Sequence, residues 1–363
     1  MDFVRSPALI LDPERCRANI AGMAERARSF GARLCPHMKT HQSAEIGRWM
    51  RAEGVEEITV SSVDMAAYFA EAGWEEITIA FPVNLREMER LNGLASRLSL
   101  SVLLSDPDAL SVLQREMNTD LGVWLEVDSG SGRTGIPWDN TEKAGEVLDR
   151  LVAADRLHFR GFYSHPGHSY AARSAEEIRE INRSCAGRLR SLRDELTAGE
   201  AVIRMGDTPC CSVGEDFEGI EEWSPGNFVF YDLMQEQIGA CREQQIACAL
   251  ACPVVARHPQ RLEVTVHGGA VHLSKDRLEE NGGVHYGKVV RFDEDGWSAS
   301  LEGCSVSRLS QEHGLLSLSR EVFDSVRPGD LLGVLPVHSC LTADLMGGYL
   351  TPQGSAVDHL RGG

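Results

Sequence analysis

The strongest constraint on the fold is a regular alternation of short β-rich runs with helical stretches over about 200 residues. The β-rich runs lie at 33–39, 57–62, 76–82, 99–106, 122–130, 159–167, 201–209 and 222–232. Such alternation predicts parallel strands covered by helices. Eight repeats are the number in a (β/α)8 barrel of the TIM type. An open doubly wound sheet is the alternative, but no G-x-G-x-x-G motif follows an early strand.

After residue 245 the pattern changes to β-rich segments separated by Gly, Pro and Asp turns, with little helical periodicity. This change predicts a separate antiparallel β domain. We therefore expect a barrel over 15–245 and a β domain built from 1–14 and 246–363. The N-terminal run ALILD (8–12) has no partner among the barrel strands and is assigned to the β domain.

Charge and hydropathy exclude several classes of partner. The 363 residues carry 36 basic and 54 acidic side chains, a net charge of −18. This balance argues against binding nucleic acid, because phosphate contacts need clustered Lys and Arg. The chain has no apolar window long enough to cross a membrane and begins without a signal-peptide pattern, so we expect a cytoplasmic protein. The ten cysteines include no C-x-x-C pair and are interpreted mainly as free thiols.

The predicted strand ends carry most of the residues with chemical potential. In a barrel of this type, functional side chains gather at the C-terminal ends of the strands. The candidates are Lys39, flanked by His37 and His41; Arg133 after Asp128; Tyr163, His165, His168 and Tyr170; Gly206 and Thr208; and Gly226, Asn227 and Tyr231. Glycine-containing turns present backbone N–H groups to a phosphate, and a lysine forms a Schiff base. Together these features point to pyridoxal phosphate.

Each candidate also has an ordinary structural explanation. A lysine at a strand end is usually a solvated charge, an arginine after a glycine-rich turn is often a structural clamp, and Tyr163 fits a barrel core. The hypothesis of a cofactor site therefore depends on their predicted convergence at one mouth.

The order of motifs ALILD, PHMKTHQ, VDSGSGRTG, GFYSHPGHSY, MGDTP, SPGNFVFYD and PVHSC resembles the D-serine dehydratase and D-threonine aldolase family. That family consists of fold-type III pyridoxal-phosphate enzymes with an alanine-racemase-like barrel and a C-terminal β domain. The resemblance implies that Lys39 binds the cofactor, that Arg133 lies near its phenolic oxygen and that Tyr163 faces its ring nitrogen. It places Gly206, Thr208, Gly226 and Asn227 at the phosphate. It also implies a homodimer.

The late His-x-Cys motif resembles the metal pair of the zinc-dependent dehydratase branch, whereas His-x-Asp would resemble the aldolase branch. We assign His338 and Cys340 as metal ligands, with Zn²⁺ favoured over Mn²⁺ or Mg²⁺ because thiolate is a soft donor. If the segment is extended, residues i and i+2 point the same way.

These features predict a lyase that eliminates water from a small D-configured β-hydroxy amino acid such as D-serine, D-threonine or 3-hydroxyaspartate, giving a 2-oxo acid and ammonia. Lys39 is the expected base, and His165 or His168 binds the substrate carboxylate or relays protons. The alternatives are retro-aldol cleavage, a non-catalytic pyridoxal-phosphate protein and, more weakly, a racemase. This chain has His267 where members of the family often have Asp, and Gln42 where they often have Lys. Because of these differences, and because His272 and His285 could also shape the substrate mouth, the sequence does not identify the exact substrate.

Overall fold

The structure is a computed structural model that describes residues 1–280, 282–294 and 296–361. Its strands, in chain order, are β1 Ala8–Leu11, β2 Arg33–Leu34, β3 Glu57–Val60, β4 Glu76–Pro82, β5 Ser99–Leu104, β6 Leu121–Asp128, β7 Ile136–Pro137, β8 Leu157–Ser164, β9 Ile203–Met205, β10 Glu222–Trp223, β11 Cys248–His258, β12 Glu263–His267, β13 Leu278–Glu280, β14 Gly283–His285, β15 Gly287–Val290, β16 Ser305–Leu309, β17 His313–Ser317, β18 Leu331–Pro336, β19 Tyr349–Leu350 and β20 Ala356–Val357.

The α-helices are α1 Pro13–Ser29, α2 Ala44–Ala52, α3 Val63–Glu71, α4 Met88–Ala95, α5 Pro107–Glu116, α6 Thr141–Val152, α7 Ala175–Thr197, α8 Thr208–Val213, α9 Leu233–Gln237, α10 Ala270–Leu273, α11 Arg320–Ser325 and α12 Ser339–Met346. Short 3-10 turns lie at Met38–Thr40, Leu85–Glu87, Gly167–Ala171, Asn227–Val229 and Glu243–Gln245. Within the described residues, no helix is both long and apolar enough to cross a membrane.

One compact unit comprises Ala21–Lys39 and Gly47–Phe228 and contains the barrel. Its strands follow the order β2-β10-β9-β8-β6-β5-β4-β3, and each neighbouring pair is parallel. A parallel bridge between His37 and Thr59 closes the ring, supported by the Thr59 N–H donating to the Pro36 carbonyl at 2.9 Å. The predicted (β/α)8 barrel is therefore confirmed.

The helices around the barrel begin where polar side chains cap them. Ser62, Asp106, Asn140 and Ser174 each accept a hydrogen bond from a backbone N–H in the first turn of α3, α5, α6 and α7. Such caps satisfy donors that have no partner inside the helix. Between these helices, β3 is buried along its whole length and β5 is buried after its first residue, as expected for parallel strands covered on both faces.

A charged cluster fills part of the barrel interior. The guanidinium of Arg204 is fully buried and pairs with Glu57 at 2.6 Å and with Glu222. It also donates to Thr78 Oγ1 at 3.0 Å and lies over the ring of Trp124, 4.4 Å from its centroid. Arg33 pairs with the same two carboxylates, with Glu57 at 2.8 Å and with Glu222, so two guanidiniums balance two carboxylates. Removing either carboxylate leaves an excess positive charge in this cluster.

Two predicted barrel strands are shorter than the sequence pattern indicated. The run 33–39 forms a strand only over Arg33–Leu34, and 222–232 only over Glu222–Trp223. Prolines follow both strands, Pro36 and Pro225, and a proline has no N–H to donate to a sheet. The residues beyond each proline form 3-10 turns instead of continuing the strand.

The other compact unit comprises Met1–Ile20, Thr40–Ile46 and Val229–Gly363. Its main sheet has the order β12-β17-β16-β15-β18-β11-β1-β19-β20, and the additional pairing of β11 with β12 closes six antiparallel strands into a small barrel. The core contains Val264, Val289, Val306, Leu316 and Val334. This confirms the predicted C-terminal antiparallel sheet. The domain bounds expected from the sequence stay a prediction.

Strand β1 pairs antiparallel with β11, in the register Ala8 to Ala251. Helices occur where the sequence suggested almost none: α10, α11 and α12 connect strands of this unit. They are short, at 4, 6 and 8 residues, so a helical period has little room to show in the sequence. No disulfide links any of the ten cysteines, all of which lie in the described part of the chain.

Candidate active site

Lys39 lies in the 3-10 turn that follows the first barrel strand. Its backbone N–H donates to His37 Nδ1 at 3.3 Å, and the His37 N–H donates to the Pro225 carbonyl at 2.8 Å. His37 and Met38 are buried, whereas the side chain of Lys39 is exposed. The turn is therefore fixed by its backbone and neighbours, and the amine is presented at the carboxyl end of the strand.

Arg133 lies on a glycine-rich loop that the protein holds from two sides. The Asp128 carboxylate accepts hydrogen bonds from the backbone N–H groups of residues 130, 131 and 132 at 2.8–3.1 Å. From outside, Arg188 donates to the Ser129 carbonyl at 2.6 Å and lies 5.3 Å from the ring centroid of Trp138. Sequence reasoning missed Arg188 and Trp138, because both act through contacts with residues distant in the chain.

Tyr163 projects from β8 into the barrel and is only 3% exposed. Ser224 Oγ donates to its hydroxyl oxygen at 3.0 Å, and its ring meets Trp124 edge-on at 6.5 Å. Burial raises the pKa of Tyr163 above its usual value. The side chain is therefore a neutral phenol near pH 7.

His165 interacts with three other residues that the sequence singled out, namely Gly206, Lys39 and Arg133. Its Nδ1 atom is hydrogen-bonded to the carbonyl of Gly206, which fixes the proton of the neutral ring on Nδ1 and leaves the lone pair on Nε2. Burial, followed by the positive charges of Lys39 and Arg133, lowers the pKa of His165 to about 3. The charges of Lys39 and Arg133 therefore both act on the His165 ring.

His168 occupies a different environment. Its Nε2 atom lies 3.9 Å from the thiol sulfur of Cys185, and burial followed by the charge of Arg188 lowers its pKa. Lys39 is not among the charges that shift it. The arrangement therefore favours His165 over His168 as the histidine that acts with Lys39.

The two predicted phosphate turns lie side by side. The backbone N–H of Phe228 donates to Thr208 Oγ1 at 3.2 Å, and the Thr208 N–H donates to the Tyr170 hydroxyl at 3.3 Å. Asp207, a residue that sequence reasoning missed, accepts from Ser169 Oγ at 2.6 Å and from the Cys210 N–H at 2.8 Å. The signal was available, because Asp followed by Thr-Pro is a helix-start pattern.

Gly206 is required by the close approach of its neighbour. A Cβ atom at this position would lie 2.2 Å from Ser224 Oγ and 2.6 Å from the Ser224 carbonyl. Gly226 and Asn227 follow on the same buried segment. These close-packed turns, with a lysine and a neutral tyrosine in the same barrel, fit pyridoxal phosphate: backbone N–H groups for the phosphate, an amine for the aldehyde and a phenol for the ring nitrogen.

The geometry expected for His338 and Cys340 is wrong. The segment is not extended throughout, because His338 has extended backbone angles (φ −133°, ψ 98°) at the N-cap of α12 and Cys340 lies inside that helix. The chain turns here because Asp232 accepts hydrogen bonds from the N–H of Ser339 at 3.0 Å and from its Oγ at 3.3 Å. The two side chains nevertheless hydrogen-bond to each other.

His338 and Cys340 shift each other's pKa in opposite directions. Burial raises the pKa of Cys340, but the hydrogen bond and charge of His338 outweigh burial and hold that pKa below its usual value. Burial lowers the pKa of His338, and the contact with Cys340 outweighs this and raises it to about 10. Thr40, the residue after Lys39, lies 3.3 Å from Cys340 Sγ. A thiolate beside an imidazole is a donor set that suits zinc.

A carboxylate orients the histidine of this pair. Asp276 Oδ2 lies 2.8 Å from His338 Nδ1, so Nε2 is the nitrogen left for a metal. Histidine ligands of metals commonly have such a carboxylate partner on the other nitrogen. Neither Asp276 nor Asp232 was foreseen from the sequence.

The other residues that the sequence singled out have the following surroundings. Gln42 donates from Nε2 to Asp344 at 2.9 Å, and His285 faces Glu280 at 3.4 Å. His267 and His272 both face Glu312. Tyr231 is buried, with a positive φ of 48°.

A parallel barrel with a lysine at its carboxyl end, joined in one chain to an antiparallel barrel, defines the alanine racemase-like class of fold. In comparisons with known proteins, residues 11–232 match the alanine racemase N-terminal domain and residues 247–351 match a putative serine dehydratase domain.

The chain is 27% identical over 351 residues to D-threo-3-hydroxyaspartate dehydratase of Delftia sp. (strain HT23), covering 93% of this chain and 91% of the relative. The structure of that enzyme superposes with a TM-score of 0.91 at 26% identity, covering 99% of both chains. D-serine dehydratase of Dictyostelium discoideum is 26% identical over 377 residues, covering 95% and 93%.

A third relative, 3-hydroxy-D-aspartate aldolase of Paracoccus denitrificans, is 27% identical over 176 residues, covering 46% of this chain and 44% of the relative. The chain belongs to the D-serine dehydratase and D-threonine aldolase family of fold-type III pyridoxal-phosphate enzymes. It is a lyase that acts on D-amino acids.

Proposed function

We propose that the protein is a pyridoxal-phosphate- and zinc-dependent lyase that removes water from a small D-configured β-hydroxy amino acid to give a 2-oxo acid and ammonia. The observation that carries this proposal is the His338–Cys340 pair, whose imidazole is oriented by Asp276. A carrier of the cofactor needs no such pair. The names of the Delftia and Dictyostelium relatives, both dehydratases, support the same reaction.

The barrel residues would hold the cofactor. Lys39 would bond its aldehyde carbon, and the turns of Gly206, Thr208, Gly226 and Asn227 would bind its phosphate. Arg133 would lie at the phenolic oxygen and Tyr163 at the ring nitrogen. When bound, pyridoxal phosphate withdraws electrons from the α-carbon of an amino acid. Burial keeps the Tyr163 phenol neutral, so Tyr163 would not supply the negative charge that a protonated ring nitrogen needs. A second electrophile would then be needed.

Two side chains would move protons. The Lys39 amine would be the base that takes the proton from the α-carbon of the substrate. His165 is neutral at pH 7 and keeps its lone pair on Nε2, so it accepts a proton transiently or binds a substrate donor. A base fixed on one face of the substrate would select one enantiomer, and the names of the Delftia and Dictyostelium relatives indicate the D-isomer.

His338 and Cys340 would hold the zinc ion, which supplies Lewis-acid chemistry to a β-hydroxyl. Two solved variants of a D-threo-3-hydroxyaspartate dehydratase, a His-to-Ala mutant and a Cys-to-Ala mutant in the metal-free form, have substituted residues two positions apart, the spacing of His338 and Cys340. The thiolate favours zinc over manganese or magnesium. We also propose that the enzyme acts as a homodimer.

The alternative is retro-aldol cleavage to glycine and an aldehyde, the reaction class named for the Paracoccus relative. That match covers less than half of either chain. A non-catalytic pyridoxal-phosphate protein is a further alternative, and the His338–Cys340 pair argues against it.

The decisive experiment assays the purified enzyme, supplied with pyridoxal phosphate and Zn²⁺, on D- and L-serine, threonine and 3-hydroxyaspartate. Ammonia and 2-oxo acid are measured beside glycine and aldehyde. We expect ammonia and 2-oxo acid in equal amounts from a D-isomer. Glycine and aldehyde as main products would assign the protein to the aldolases, and equal turnover of L-isomers would refute the role of Lys39.

A further inference from the structure

Two histidines and a glutamate that the proposed reaction does not use come together in the antiparallel unit. His267 ends β12, His272 lies in α10, and Glu312 lies in the turn between β16 and β17. Their ligand atoms all lie within 4.8 Å of one another. His267 Nε2 lies 3.6 Å and His272 Nε2 3.9 Å from the same oxygen, Oε2 of Glu312.

The backbone that presents these side chains is tightly fixed. The N–H groups of residues 268, 270 and 271 donate to the carbonyls of residues 312, 310 and 311 at 3.0, 2.8 and 3.1 Å. A Cβ atom at Gly269 would lie 2.3 Å from the Gln311 carbonyl oxygen. The loop is thus seated directly on the β16–β17 turn, which fixes the backbone that carries the three donors.

We propose that His267, His272 and Glu312 form a second divalent-metal site, distinct from His338–Cys340 and selective for zinc-class ions. Donors at about 2.0–2.2 Å from a tetrahedral zinc stand roughly 3.3–3.6 Å apart. The two imidazole-to-carboxylate separations, 3.6 and 3.9 Å, are within a few tenths of an ångström of that spacing, and the ligand nitrogens of the two imidazoles lie within 4.8 Å of each other. Two imidazoles select zinc-class ions over magnesium and calcium, which prefer oxygen donors.

The charge and exposure of the cluster also suit a cation. His267 is 43% and Glu312 49% exposed, so an ion enters from solvent, whereas His272 is only 15% exposed and anchors the site. One carboxylate offsets half of the charge of a divalent ion, and the net charge of −18 favours its approach. Three protein ligands leave one tetrahedral position for water.

Metal binding changes one hydrogen bond. The Gly269 N–H donates to His272 Nδ1 at 3.1 Å, so the neutral ring carries its proton on Nε2, facing Glu312. When a metal binds Nε2, the ring proton moves to Nδ1. Because Nδ1 then donates instead of accepting, the hydrogen bond from the Gly269 N–H is lost. The state of this bond therefore reports binding at the second site and not at the first.

The test titrates the full-length, cofactor-loaded Cys340→Ser variant with Co²⁺ and with Zn²⁺, following cobalt absorbance and the heat of zinc binding. This variant removes the sulfur ligand of the first pair, so a remaining site gives visible cobalt bands without a sulfur charge-transfer band. We expect one saturable site. Adding His267→Ala or Glu312→Gln to this variant removes a direct ligand, so we expect binding to weaken by more than the roughly 10- to 100-fold that loss of a residue supporting a ligand costs.

The matched control is His158→Ala in the same Cys340→Ser variant, because His158 is an exposed histidine facing a single carboxylate, Asp120, at 3.3 Å. Binding in the control stays unchanged. The proposal is overturned if Cys340→Ser shows no saturable site, or if a site survives both His267→Ala and Glu312→Gln in proteins whose circular dichroism is unaltered. Neither outcome depends on whether the enzyme is a dehydratase.

Discussion

Asp276→Asn tests whether the carboxylate beside His338 sets the metal affinity of the His338–Cys340 pair. The contact between Asp276 Oδ2 and His338 Nδ1 is 2.8 Å, the length of a charge-assisted hydrogen bond. Such a bond contributes about 1.5–3 kcal/mol. At about 1.4 kcal/mol for each tenfold change, its loss weakens metal binding about 10- to 100-fold.

The assay follows the sulfur-to-metal charge-transfer band of Co²⁺, which reports the site that contains Cys340. Cys340→Ser supplies the baseline. The matched control is Asp330→Asn, because Asp330 belongs to the same unit but its carboxylate accepts from the Arg327 N–H at 2.7 Å. Cofactor absorbance stays unchanged in both Asp variants. An unaltered cobalt affinity in folded Asp276→Asn would refute the orienting role of this carboxylate.

Three further predictions concern the barrel. Lys39→Ala removes the visible absorbance of lysine-bound cofactor, and persistence of that absorbance after dialysis would show that another amine holds the cofactor. Gly206→Ala places a Cβ atom 2.2 Å from Ser224 Oγ, so cofactor affinity in a fluorescence titration falls while the fold is retained; unchanged affinity would contradict the phosphate assignment. Glu57→Gln leaves Arg204 undercompensated and lowers the free energy of unfolding in urea by about 3–5 kcal/mol, and a loss below about 1 kcal/mol would refute that balance.

The barrel was predictable from the sequence because its strands are short apolar runs alternating with capped helices. The C-terminal ends of β2 and β10 could not be predicted, because Pro36 and Pro225 stop the strand pairing within stretches whose composition is still typical of β-strands. The alternation therefore specified which elements pair, and the prolines specified where pairing stops.

Part of the candidate site could likewise be predicted from the sequence motifs. Lys39, Arg133 and His165 follow separate strands, and the topology of a parallel barrel brings such ends together. The supporting residues could not be predicted, because Arg188 and Asp276 are separated from the residues they contact by 59 and 62 positions in the sequence. The extended geometry assumed for the metal pair failed because Asp232, more than a hundred positions away, caps Ser339.

The most direct test of the account is a crystal structure of the protein as isolated, with anomalous diffraction recorded on both sides of the zinc absorption edge. We predict continuous density from Lys39 Nζ into a phosphate-bearing ring whose phosphate meets Gly206 and Thr208. We also predict a zinc peak about 2.0–2.3 Å from His338 Nε2 and Cys340 Sγ. Cofactor bound away from Lys39, or a crystal grown with zinc that shows no peak at this pair, would contradict the account.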